Sequence, residues 1–260
     1  MVAEDFLHRD LPKIGKNVHR LGLATDRGID DEGIRAAIDQ GVNYLFWTRN
    51  NMLPALRDAV RRDRERIVIA TGPVIGHFQF TIRRAAEKAL RTLGTDYLDV
   101  FQLFWAGTMS AINERTLDEL SRLKEEGKIR AIGVSIHDRP RAARLVQDSP
   151  IDLFMLRYNA AHPGAEQDIF PHLERRGPTV VAYTATSWRK LLKAPRGWGG
   201  PPMSAGECYR FCLSCRNVDV VLTAPANITE LTSNLSEISR GPLEDPRMHE
   251  VREFGRFVHG

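Results

Sequence analysis

The chain has 260 residues, with 37 Lys and Arg against 33 Asp and Glu and a formal net charge of +4. Its 42% hydrophobic and 27% charged content is that of an ordinary globular protein and excludes disordered, collagen-like and coiled-coil classes. No segment approaches the run of about 18 apolar residues that a membrane helix needs. The opening MVAEDFLHRD carries acids and a His where a secretory leader needs an apolar run, so a cytoplasmic protein with no membrane partner is expected. Basic residues alternate with acids, as in RRDRER and RLKEEGKIR. Such mixing marks solvated helix faces and argues against a nucleic-acid partner.

In chain order, residues 1–18 contain DLPKIGKNVHRL, where Gly15 between two short runs predicts a hairpin. HRLGLAT (19–25) reads as a strand and DDEGIRAAIDQ (30–40) as a helix capped by Asp30 or Asp31. VNYLFW (42–47) is a second strand, followed by a helix over 52–63 with Pro54 near its start, where proline is tolerated. RIVIAT (66–71) is a third strand and TIRRAAEKALRTL (81–93) an amphipathic helix stopped by Gly94. YLDVFQLFW (97–105) is apolar on both faces, as a buried parallel strand should be. Helix 115–126, strand 129–135, helix 139–148 and strand 151–159 follow. A helix over 165–176 contains Pro171, a kink or late start. Strand 179–184, helix 204–215, strand 218–224, helix 228–238 and a last helix over 246–258 complete the chain.

Eight strands thus alternate with helices, which implies parallel strands with helical crossovers and favours one closed (β/α)8 barrel domain over residues 1–260. An open doubly wound sheet is the alternative, but no G-x-G-x-x-G follows the first strand. The irregular stretch 187–204 becomes the loop after the seventh strand, on the ligand face.

Several phrases resemble the aldo/keto reductase family. GVNYLFWT is similar to its G-[IV]-N-F-x-D-T-A, LGTDYLDVFQLFW to L-G-x-D-Y-[IL]-D-L-x-x-x-H-W, and GKIRAIGVSIHD to G-K-[IV]-R-x-[IL]-G-V-S-N. VVAYT and VDVVLTAPANITELTSNL resemble its seventh strand and C-terminal phrase, and all occur in family order over roughly 19–240. The resemblance implies a barrel and an enzyme that reduces carbonyls with NADPH through an Asp–Tyr–Lys–His tetrad. Carried over residue by residue, those four places hold Phe46, Asn51, Gly72 and Phe104. A phenol tuned by a neighbouring cation and imidazole is absent from them, so the family's ordinary proton donor is expected to be lost.

The cofactor places are mixed. The resemblance assigns Ser135, Tyr183 and Asn234 to nicotinamide binding, whereas the family's amide pair falls on Ile136 and Met155, its phosphate-gripping arginine on Glu230 and a phosphate-binding lysine on Ala224. An acid repels a phosphate dianion, so NADPH is disfavoured while NADH is left open.

Other residues suggest a ligand pocket. Phe46, Trp47, Phe104, Trp105, Trp188 and Trp198 map near strand ends on the ligand face, a lining for a hydrophobic or aromatic small molecule, or else a plug or protein interface. His137 follows the fifth strand and is the best acid/base candidate by type; Arg157 shares the inward face of Met155 and either binds an anion or pairs with Asp138. Thr48 to Asn51 offer polar groups or a helix cap. Cys208, Cys212 and Cys215 have the spacing of an iron–sulfur motif but lie at i, i+4 and i+7 of a helix, so buried reduced thiols are expected, with no cluster and no metal. Three readings remain open: a barrel binding an apolar ligand with cofactor-independent chemistry on His137 and Arg157, a nicotinamide-dependent oxidoreductase with a rebuilt proton donor, and an inactive regulatory protein. A protein partner or homo-oligomer is left open.

Overall fold

The computed structural model describes residues 5–25, 28–48, 54–73, 79–106 and 112–259. Arg49, Asn50 and Asn51 lie outside the described residues. A hairpin of β1 (His8–Leu11) and β2 (Lys16–His19) comes first, its turn using Gly15 at φ +73°. Then follow β3 (Leu21–Ala24), α1 (Asp31–Asp39), β4 (Tyr44–Phe46), α2 (Pro54–Arg62), β5 (Val68–Thr71) and α3 (Gln79–Leu93). The middle of the chain forms β6 (Leu98–Leu103), α4 (Glu114–Glu125), β7 (Ile129–Ile136), α5 (Arg139–Gln147), β8 (Leu153–Arg157) and the short α6 (Ala165–Asp168). The last elements are β9 (Thr179–Tyr183), α7 (Ala205–Ser214), β10 (Val220–Thr223), α8 (Ile228–Ile238) and α9 (Asp245–His259).

Strands β3 to β10 pair in parallel in chain order, and β10 closes on β3 to complete an eight-stranded barrel. Helix starts follow their side-chain caps: Asp30, Asn113, Asp138, Ser204 and Asn227 each accept a backbone N–H of the first turn. Two expectations need correction. The helix over 165–176 breaks into α6 and a 3-10 turn at Phe170–His172, because Pro171 has no N–H to continue the ladder. The single strand over 19–25 is divided, with His19 ending the hairpin and the barrel strand starting at Leu21.

Strand alternation sorts the apolar residues into two cores. One lies inside the barrel and includes Tyr44, Phe46, Val100, Phe104, Leu153, Met155, Val181 and Leu222. The other fills the space between strands and helices. The hairpin closes the N-terminal end: Leu11, Ile14 and Val18 join the inner core. Lys16 Nζ reaches Asp99 at 2.8 Å and the carbonyls of Arg64 and Ile67, while Arg64 binds the other Asp99 oxygen at 2.8 Å. The hairpin thus covers the N-terminal end of the barrel. Cys208 and Cys212 are buried and Cys215 half-buried, all as free thiols. Burial pushes the Cys208 and Cys212 thiols up, which keeps them protonated and inert. Among the described residues, no helix is long and apolar enough to cross a membrane.

Candidate functional site

The mouth is built on the C-terminal ends of β4 to β9. Phe46 ends β4 and Phe104 follows β6; both point inward and meet edge to face at 5.7 Å. Trp105 continues this aromatic surface at 6.4 Å from Phe104, with 59% of its surface exposed. Gly72, just past β5, lies against the same wall. A Cβ at Gly72 would fall 1.8 Å from the Gln102 carbonyl oxygen and 3.1 Å from the Phe104 ring. The backbone of β6 therefore occupies the space through which a longer side chain at 72 would leave. Gln102 is itself fully buried; its amide nitrogen bonds Met155 Sδ at 3.4 Å and its Oε1 has no partner.

The polar side of the mouth comes from β7, β8 and β9. The Tyr183 hydroxyl lies 2.6 Å from His137 Nε2, and Ser135 hydrogen-bonds Tyr183 from two strands over. Burial pushes the Tyr183 phenol up to about 12, against smaller opposing effects of Ser135 and the Arg157 charge. Burial first, then Arg157, pushes His137 below the ordinary imidazole value of 6.5. At neutral pH the phenol is therefore protonated and donates, and the imidazole is neutral and accepts. Arg157 is half-buried, packs over the Trp188 ring at 6.0 Å, and forms no carboxylate ion pair among the described residues. The pairing with Asp138 considered from sequence does not form: Asp138 caps α5 by accepting Arg141 N–H at 2.9 Å.

Backbone strain concentrates here. Trp105, Thr184, Ser187, Trp188 and Arg189 all have φ between 49° and 69°. Each such non-glycine residue costs roughly 1–3 kcal/mol, and the price is characteristic of sites where a side chain must be presented. Both exposed indoles at the mouth, Trp105 and Trp188, are among them.

The remaining expected residues separate. Trp47 is only 3% exposed and packs in the outer core, so its assignment to the pocket lining is corrected: one residue beyond Phe46, strand alternation turns it away from the barrel interior. Trp198 stacks on Phe254 and Phe257 of α9, at 5.1 and 5.4 Å, rather than facing the mouth. Asn234 is buried and donates to Thr223 Oγ1 at 3.2 Å, which in turn donates to Tyr209.

These placements bear on a nicotinamide dinucleotide. The Asn234 amide is engaged within the fold, the Ile136 side chain packs in the outer core, and Met155 accepts from Gln102. Glu230 stands in the first turn of α8, where its carboxylate accepts Ala226 N–H at 2.9 Å. At the places that the resemblance gives to the 2′-phosphate and the nicotinamide amide, the chain thus holds a fixed carboxylate and apolar side chains. The donor set does not fit NADPH.

Beside the mouth lies a cleft of about 560 Å³ between the barrel wall, the loop after β8 and α9. Its Arg252, Arg256 and His259 were not anticipated, although their i, i+4, i+7 spacing on the last helix puts them on one face.

A sequence model of the Aldo/keto reductase family matches residues 23–194. The chain is 27% identical over 176 residues to aldo-keto reductase YhdN of Bacillus subtilis, covering 61% of this chain and 52% of that protein. It is 27% identical over 184 residues to methylglyoxal reductase YeaE of Escherichia coli, covering 67% and 64%. The chain spans from about half to just under two-thirds of the length of these curated relatives. Its fold superposes on the holo form of an aldo-keto reductase from Bacillus halodurans with a TM-score of 0.80, at 23% identity and 95% coverage of each chain.

Proposed function

The chain belongs to the aldo/keto reductase family, and from that premise we propose that it binds a small carbonyl compound with an aromatic or apolar body at the barrel mouth and transfers a proton there without the family's tetrad. The observation that carries this reading is the Tyr183–His137 hydrogen bond of 2.6 Å beside the Arg157 guanidinium, which has no carboxylate partner among the described residues, and the Phe46–Phe104–Trp105 cluster. The aromatic wall takes the apolar body. His137, neutral at pH 7, removes a proton from the carbon next to the carbonyl, and the electron pair moves onto the carbonyl oxygen. Arg157 holds the developing oxyanion or a neighbouring carboxylate. Tyr183 orients the imidazole by donating to Nε2, which places its own proton on Nδ1; removal of a substrate proton by Nε2 requires the phenol to swing aside as the ligand enters. No hydride step is derived, because the donor set does not fit NADPH.

The test uses phenylpyruvate, which combines an aromatic ring, a carbonyl and a carboxylate. Protein-dependent exchange of its methylene protons into D2O is followed by NMR. His137→Gln should lower the exchange rate by about 100-fold or more, the scale of a general base, and Arg157→Gln should chiefly raise KM. Exchange equal to that of protein-free buffer, or unaffected by His137→Gln, would overturn the proposal.

A second reading, a nicotinamide-dependent oxidoreductase, is favoured by Ser135 and Tyr183 standing together at the mouth. Titration with NADH and NADPH, followed by tryptophan fluorescence, separates the two. Micromolar binding of either would move the Tyr183–His137 pair to the role of a rebuilt proton donor; absence of binding at millimolar concentration would retire that reading.

A further inference from the structure

We infer that the cleft beside the mouth is a binding site for a small, multiply charged oxyanion. This goes beyond the reading of the mouth, with which the cleft shares His137 and Arg157, because its other cations come from α5, the loop after β8 and α9. Four guanidinium groups line the cleft, those of Arg139, Arg157, Arg252 and Arg256, together with His137, His162 and His259; of these, His137 and Arg157 also face the mouth. The one carboxylate in the lining is Glu166, and it is already engaged: both its oxygens bind Arg252, and it accepts the Tyr158 hydroxyl. Arg139 meets Asp168 at 2.9 Å, and Arg256, itself 66% exposed, has Glu253 of the same helix at 4.0 Å. Arg157 has no carboxylate partner among the described residues. Positive charge therefore exceeds negative charge in a concave site, where low-dielectric walls concentrate its field.

The cleft is shaped by two close backbone approaches. A Cβ at Gly164 would fall 1.4 Å from Arg139 Nη1, so the absence of a side chain there lets the guanidinium lie across the loop after β8. A Cβ at Gly255 would fall 2.1 Å from the Ala160 carbonyl oxygen. That contact sets α9 against the same loop, and Arg252, Arg256 and His259 line the cleft from it. His162 meets His259 edge to face at 5.0 Å. Burial, then the surrounding cations Arg157, His259, Lys190 and Arg139, push His162 down to about 4, which agrees with a positive field across the cleft. A volume near 560 Å³ suits a metabolite-sized ligand. Guanidinium groups bind phosphate and carboxylate in the same forked geometry, so the shared chemistry is a dianion or trianion of oxygen.

The experiment is calorimetric titration of the full chain with inorganic pyrophosphate and, separately, citrate. Binding is located by chemical-shift changes of the His162 and His259 ring protons. Arg256→Gln should weaken binding at least tenfold, while Arg62→Gln, on the remote α2, should leave it unchanged. Preference for pyrophosphate assigns a phosphate ester as the ligand class, and preference for citrate a polycarboxylate. Gly255→Ala, checked by circular dichroism for an intact fold, should also weaken binding by displacing α9. No saturable binding of either anion below millimolar concentration would overturn the inference, as would equal weakening by Arg62→Gln and Arg256→Gln. Because Arg256 takes no part at the mouth, phenylpyruvate exchange in Arg256→Gln reports on the mouth alone, and the two proposals fail independently.

Discussion

Gly72→Lys with Phe104→His, the two family residues that the resemblance implies at those places, should damage the fold rather than confer NADPH-dependent reduction. The resemblance gives Gly72 and Phe104 the places of the family's lysine and histidine, and Gly72 is closed by backbone. Its added Cβ would lie 1.8 Å from the Gln102 carbonyl oxygen and 2.9 Å from the carbonyl carbon. Ordinary close C···O contact begins near about 3.3 Å, so β5 and β6 must part by roughly 1.5 Å. The obstacle is main chain, which cannot rotate away as a side chain can. The adjacent pairings are Ala70 with Val100 and Thr71 with Phe101. Overpacking costs about 1–3 kcal/mol, and each ladder hydrogen bond weakened adds about 1 kcal/mol. Gly72→Ala should therefore destabilise by about 3 kcal/mol, which lowers Tm by roughly 6–12 °C for a chain of this size. Urea and thermal unfolding of the parent, Gly72→Ala and Phe104→His proteins measure this directly. The Gly72→Lys/Phe104→His double variant should show the same loss and no NADPH-dependent reduction of carbonyls, since Phe46 also replaces the family's aspartate. A Gly72→Ala protein within about 0.5 kcal/mol of the parent, or reductase activity gained by the double variant, would refute this reasoning.

Two further predictions concern electrostatics. His162 sits at about 4 when folded against 6.5 when free, so the unfolded chain takes up the proton first. Its contribution to stability is whole above pH 6.5 and is lost as pH falls from 6.5 toward 4; urea midpoints at pH 7 and pH 5 should differ less in His162→Gln than in the parent, and an unchanged difference would count against the assignment. At the barrel floor, Asp99 is fully buried between Lys16 and Arg64. Asp99→Ala should cost about 3–5 kcal/mol by leaving the buried ammonium unpaired, and Lys16→Met in the same background should recover part of the loss in denaturant unfolding.

The elements of the barrel are legible in the sequence because each rests on local signals. Asp30 and Ser204 cap their helices, Gly94 ends one at φ +68°, and the apolar runs of β6 to β8 have the character of buried parallel strands. The family phrases lie on these same elements, so fold and family follow from residues close together in the chain. The hairpin at Gly15 was local in the same sense, whereas its role as the barrel floor depended on Lys16 reaching Asp99.

The site was legible only in part. Phe46, Phe104, Ser135 and Tyr183 are fixed by strand position, and His137 by its place after β7. Whether neighbouring aromatics join them depended on strand parity and loop backbone. Trp47 faces the outer core, Trp198 leans on α9, and Trp105 and Trp188 are held outward by left-handed backbone that no propensity predicts.

The sequence by itself determined an eight-fold strand–helix alternation, its caps and stops, and the family phrases that lie on them, because these are properties of chain order and short-range periodicity. Only the tertiary structure decided that Tyr183 meets His137, that Gly72 is sealed by the Gln102 carbonyl, and that α9 delivers Arg252, Arg256 and His259 to the cleft beside Arg157. Those meetings join residues distant in sequence, and their geometry is set by barrel closure and by two or three close backbone contacts rather than by any local preference.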